Sequence, residues 1–421
     1  MPTLERKAAN KVIRYELKKI FGKVSAKIAL AVLAVTLIGC CSMAIGNAEW
    51  VNEQGEKEFG YAAAQKLRGA QKSWAGPLDE EKLRQVIMEN QRIERSPEAR
   101  SESIRERDIA FSWKQGIYEI WWLMNYSYAD EFRSLDAYAA DSVTPDMAGS
   151  FYDNRVTLLE KWLYDETDVA DSLFSEPEKQ FLLKRYRELE TPLYYDYVGG
   201  WDGLQYGIAP LISIFALVIS FLASGIFSDE FRWRSDAVFF STRHGRQKGT
   251  RSKIAAAFLM ATALYWAGVI PYCLFTLCYL GFDGWNCPVQ ILYWKSFYHI
   301  SVLQLSLLTV AFGYIGTLFL TFLTMWVSAK TKSAVFSVIV PFIIIFLPSI
   351  LENIGNDAVN QIMGLLPDRL LMGDSVATTF SLYSIGKTVF GSLQILPWLY
   401  LVLTTLLIPA MYQGFSKKQI L

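Results

Sequence analysis

Residues 203–253 read GLQYGIAPLISIFALVISFLASGIFS and then DEFRWRSDAVFFSTRHGRQKGTRSK. The first part, Gly203 to Ser228, carries no charge. As a helix at about 1.5 Å per residue it is long enough to cross a hydrocarbon core of about 30 Å. The second part holds seven basic residues, Arg232, Arg234, Arg243, Arg246, Lys248, Arg251 and Lys253, against Asp229, Glu230 and Asp236. A further apolar run begins at once. Span, short basic loop, span: this order predicts a polytopic helical membrane protein.

The rest of the chain repeats the pattern. It is 52% hydrophobic and 14% aromatic at zero net charge, a composition of the membrane class. Six charge-free runs stand out, Ile28–Gly46, Gly203–Ser228, Ile254–Phe282, Ser296–Ala329, Ser333–Leu351 and Thr388–Ser416. Each is long enough to span. The expected fold is therefore all-α, with six transmembrane helices, an N-terminal interfacial helix and an α-helical extracellular domain between spans 1 and 2. Its segments are a cytoplasmic interfacial stretch 1–27, span 1 at 28–46, an extracellular domain 47–203 and span 2 at 204–228. A cytoplasmic loop 229–253 follows, then spans 3 to 6 within 254–416 with outer loops 283–295 and 352–387, and a tail 417–421. The first run lacks a small-residue cleavage site and is expected to stay as a span rather than leave as a signal peptide.

Charge orients the spans. One side collects 19 basic residues against 5 acidic ones, while 47–202 holds 31 acids and 19 bases. Lysine and arginine near membrane ends mark the cytoplasmic side, so both termini are expected there, in a cell membrane and most simply a bacterial one. Ile13, Leu17, Ile20, Phe21 and Val24 recur at helical spacing with Arg14, Lys18, Lys19 and Lys23 between them. That is the pattern of a helix lying on a membrane surface, with Lys18, Lys19 and Phe21 at the interface and lipid as partner; a solvated basic leader is the plainer alternative.

The insert reads as helical. Ile109, Trp113, Ile117, Ile120, Trp121 and Met124 form one stripe, Leu83, Val86 and Ile87 an earlier helix, and Val156, Leu159, Trp162 and Leu163 a later one. Ser175 and Glu178 have capping-box spacing for a helix over 176–190. Tyr194, Tyr195, Tyr197, Trp201 and Tyr206 read as an aromatic belt at the outer membrane face in preference to a ligand platform. No cysteine falls in the insert, so its stability rests on its core.

Reaction chemistry is not written here. His244 and His299 are the only histidines and fall on opposite sides, so they cannot share a metal. Neither a metalloprotease nor a hydrolase motif occurs, and no nucleotide-binding loop. Residues 381–388, SLYSIGKT, lack the first glycine and the preceding strand of a phosphate loop. No catalytic, cofactor-binding or metal residue is expected, and no nucleic acid. The spans carry no mid-membrane charge of the kind an ion-coupled carrier uses. Pro210, Pro271, Pro341, Pro348, Pro397 and Pro409 predict bends or breaks, and Gly313 and Gly316 permit close helix contact.

Gly225-Ile-Phe-Ser-Asp-Glu230, Ser235, Phe239-Phe240-Ser241-Thr242, Gly245-Arg246 and Ser252-Lys253 together resemble the permease subunit of ABC-2 type ATP-binding cassette exporters. Such permeases follow span 2 with an acidic residue, a short coupling helix, a Ser/Thr-rich turn, a Gly/Ser-Arg pair and a lysine opening span 3. Arg234-Ser235 departs from the small pair usual there, and the FF step is unusually aromatic. The insert is similar to that of a subset of Gram-positive permeases. The resemblance implies export of a hydrophobic or peptide-like substrate, such as an antimicrobial peptide or a lipid, powered by a separate ATPase subunit. A second permease chain, identical or similar, would complete the path. It also implies coupling by Glu230, Phe231, Val238, Phe239, Phe240, Arg243, Arg246 and Lys248, with the aromatic residues in a groove of the ATPase. Two rival readings are an antibiotic sensor or resistance protein working through its outer domain, and a membrane scaffold without transport.

Overall fold

The structure is a computed structural model of the chain and describes residues 2–46, 48–133, 136–167, 169–242, 245–351, 361–386 and 388–416. It is mostly helical. Helix α1 (Pro2–Phe21) breaks at Gly22 and Lys23 before α2 (Val24–Gly46). The insert holds strands β1 (Glu49–Val51) and β2 (Lys57–Phe59), helix α3 (Tyr61–Lys72), strand β3 (Gly76–Pro77), and helices α4 (Glu80–Glu94), α5 (Ile104–Lys114) and α6 (Tyr118–Tyr128). It continues with α7 (Phe151–Leu163), α8 (Val169–Leu173), α9 (Glu176–Arg187) and β4 (Tyr194–Tyr195). The rest of the chain comprises α10 (Gly199–Arg232), α11 (Asp236–Ser241), α12 (Thr250–Leu280), α13 (Val302–Thr331), α14 (Ala334–Leu351), α15 (Gly373–Thr378), strands β5 (Leu382–Ile385) and β6 (Thr388–Gly391), and α16 (Ser392–Ser416).

Among the described residues, five helices are long and apolar enough to cross a membrane: α2, α10, α12 with its preceding π turn, α13 and α16. The sixth apolar helix, α14, is described over 18 residues, about 27 Å, close to the thickness of a hydrocarbon core. At 34 residues α10 is the axis: α2, α12, α13 and α14 all pack on it. Small residues set those distances. A methyl on Gly313 of α13 would lie 2.6 Å from Ile212 Cδ1 and 2.8 Å from the Tyr265 hydroxyl, so only glycine allows this approach. All six prolines expected to mark breaks lie inside continuous helices.

Successive spans run in opposite senses, so the molecule has an end carrying the insert and an opposite, basic end. The insert is helical at its centre, but the described residues include three two-stranded antiparallel ladders, which corrects the purely helical expectation. One opens the insert (β1–β2), one closes it (β3–β4, pairing Gly76 with Tyr195), and β5–β6 lies near the last span. Within the 381–388 segment, residues 382–386 are thus strand and turn, with Gly386 at φ +67°. The stripe from Ile109 to Met124 is two helices, since the chain turns at 115–117 between α5 and α6. The capping box at Ser175 and Glu178 is present.

Insert and spans share one core. Leu159, Leu163, Leu182, Leu183 and Tyr186 of the insert pack with Phe297, Tyr298 and Leu382 from two later loops. The buried Arg155 guanidinium donates to the carbonyls of Trp294 (3.2 Å) and Ser296 (2.7 Å) and stacks over the Tyr186 ring. Trp201 Nε1 donates to the Asp283 carbonyl at 2.7 Å, and Arg68 and Lys72 of α3 both reach the Asp283 carboxylate. Tyr195, Tyr197 and Trp201 are therefore buried inside the protein, where a lipid-facing belt had been expected; of that group only Tyr194 and Tyr206 are exposed.

Candidate functional site

The residues singled out in the sequence converge at the basic end. There α10 runs out of the span, and Arg234 takes a left-handed backbone (φ +53°) that reverses the chain. The Ser235 amide donates to the Glu230 carbonyl at 2.9 Å, and its hydroxyl to Glu230 Oε2 at 2.6 Å. Helix α11 follows. Gly245 comes next because a Cβ there would sit 1.9 Å from the Phe239 carbonyl oxygen. A π turn over Gly245–Gly249 then leads into α12.

Beneath this loop lies a closed knot of charge. Lys253, at 0% exposure, donates to Glu16 Oε2 at 3.0 Å and to Glu230 Oε1 at 2.8 Å. Lys19 donates to the same Glu230 oxygen at 2.6 Å, and Lys23 pairs with Asp229. Three ammonium groups thus meet three carboxylates, and together they bind α1, the end of α10 and the start of α12. Burial works against the charge of Lys19, but the hydrogen bond and charge of Glu230 outweigh it and hold its pKa above the ordinary lysine value. A buried cluster of this kind adds little net stability over an apolar one, yet removing one member strands a charge. Its effect is to fix position.

A second cluster locks the loop from the other side. Phe415 of α16 lies at the centre of Phe227, Phe231, Phe239 and Phe240, with ring centroids 4.4, 5.9, 5.6 and 5.2 Å away. Phe231, Phe239 and Phe240 therefore pack on Phe415; Phe240 is buried, and Phe231 and Phe239 are half-buried. Arg246 Nε donates to the Phe240 carbonyl at 3.2 Å, with its guanidinium over the same ring. What projects from this loop is Val238, 68% exposed; Trp233, 63% exposed, and Lys248 are exposed elsewhere on it. Arg243, expected among the coupling residues, and His244 lie outside the described residues.

No family model, curated protein or solved structure matches this chain. The geometry stands alone.

The expected interfacial residues divide. Lys18 is exposed, but Lys19 is spent on Glu230, and Leu17, Ile20 and Phe21 pack against the protein core. The apolar stripe of α1 thus docks on protein, against α12 and α10. Sequence reasoning missed Glu16, Lys23 and Asp229 as site residues. The available signal was Glu16 itself, an acid set on the apolar stripe of an otherwise basic helix. Among the described residues no group of three or more His, Cys, Asp or Glu side chains stands close enough to hold a metal.

Proposed function

We propose that this chain is the membrane-spanning subunit of an ABC-2 type exporter, driven by a separate ATPase at its basic end. Substrate would pass along an interface between two such subunits, a two-fold pair being the simplest closed assembly. The observation that carries the reading is the construction of residues 229–253. An otherwise exposed inter-helix loop is held to α1, α10, α12 and α16 by buried ion pairs and a phenylalanine cluster, with an apolar residue at its tip. A loop that served only to reverse the chain would not need to be rigid. A loop that receives force from a partner must transmit displacement to the spans, and stiff contacts to four helices do that.

In this reading Glu230 and Lys253 are positioning residues, Phe239 and Phe240 brace the loop from within, and Val238 meets the ATPase. The insert, on the far side, shapes the exit or takes up ligand. Co-purification tests this: the full-length chain should bring down an ATP-hydrolysing subunit from its own cell, and Val238→Asp should bring down distinctly less of it while keeping membrane insertion. Undiminished recovery of the partner by Val238→Asp would refute docking at this tip.

A further inference from the structure

A cavity opens at the basic end, where the α1–α2 break, the last turns of α10 and the first turns of α14 leave a groove of about 790 Å³. Its wall is apolar, including Leu222, Val338, Ile339 and Phe342. Its mouth is polar and lined by Lys23, Ser25, Arg232 and Trp233. Lys23 is paired with Asp229, but among the described residues Arg232 has no hydrogen-bond or ion-pair partner. The mouth therefore carries one uncompensated cation. Arg232 is the last residue of α10, and Trp233, exposed beside it, is of the type that settles at the headgroup level. An apolar slot running along the spans, closed at the headgroup level by an unpaired guanidinium, has the shape and charge of a single phospholipid.

We propose that this groove holds one anionic phospholipid, an acyl chain between α10 and α14 and its phosphate on Arg232. The site lies against the Lys23–Asp229 pair of the knot, so the lipid supports the loop from its membrane side. This inference needs only a bilayer at the basic end and holds whether or not the chain exports anything.

The test uses the full-length purified chain, without ATPase or substrate, in mixed micelles holding equal phosphatidylglycerol and phosphatidylcholine. Native mass spectrometry reads the lipid retained. Phosphatidylglycerol should be kept over phosphatidylcholine by about fivefold, the value of one cation at a headgroup. Arg232→Gln should bring that ratio near parity, and Ile339→Trp, which fills the groove, should cut retention of both lipids. Both side chains are exposed, so the fold should survive, with far-ultraviolet circular dichroism as the check. Equal retention of the two lipids, or a preference unchanged in Arg232→Gln, would overturn the proposal. So would a lipid-free dimer that Ile339→Trp splits, since a second copy would then cover the groove.

Discussion

Lys253 is the most demanding residue of the knot, fully buried and bonded to two carboxylates from two other helices. Lys253→Met should destabilise the folded chain by about 3–5 kcal/mol, because buried Glu16 loses its ion-pair partner and Glu230 keeps only Lys19. Adding Glu16→Gln to that variant, which removes the stranded carboxylate and leaves the Lys19–Glu230 pair in place, should restore most of the loss. Thermal unfolding in detergent reads both. Glu131 gives a pH prediction. It is 8% exposed, and burial lifts its carboxyl to about 7, with Lys295 and Arg155 only partly opposing. The folded state therefore binds a proton that the unfolded state, near the usual 4.5, has already released. Stability from this group is intact below about pH 4.5, and it falls as pH rises toward 7 by up to 1.4 kcal/mol per unit. Glu131→Gln should flatten the melting temperature between pH 5 and 7.5; an unchanged slope would place the titration elsewhere. None of this was legible locally, since Lys253 finds its partners 23 and 237 positions away.

Elements were read with more success where a pattern repeats within one segment. The apolar runs mark the helices that can span, and Ser175 with Glu178 marks the start of α9. Glu178 does more than cap, because its other oxygen accepts from the Ser384 hydroxyl of β5 at 3.1 Å. Ser175→Ala should therefore cost about 1 kcal/mol, as caps do, and Glu178→Ala distinctly more. Chemical denaturation of the full chain would show the two costs to be unequal; equal losses would mean that the Ser384 contact adds nothing. The strands were invisible for a physical reason. With two to four residues each, they are too short for alternation to show, and their partners lie up to 119 positions away, as Gly76 does from Tyr195. The aromatic belt failed in the same way: Trp201 is buried by a carbonyl from a later loop.

At the scale of the molecule, the insert is not a detachable domain. Its Arg155 donates to carbonyls of the loop between α12 and α13, and its core runs into β5 and α16. A fragment of residues 50–200 should give a helical circular-dichroism spectrum but melt below the full chain, and equal melting would show the insert to be autonomous. Orientation has its own test. In a cysteine-free background, a cysteine at Thr144 should react with an impermeant reagent on intact cells, and one at Lys248 should not. The central claim is that the loop ending in Val238 passes work between an ATPase and the spans. The most direct measurement is the ATP hydrolysis rate of the assembled complex in lipid, for the native chain and for Val238→Asp at matched protein levels. A carboxylate left unpaired at an apolar contact should lower the stimulated rate about tenfold while the spans stay folded. A Val238→Asp complex that hydrolyses ATP at the native rate would contradict the account.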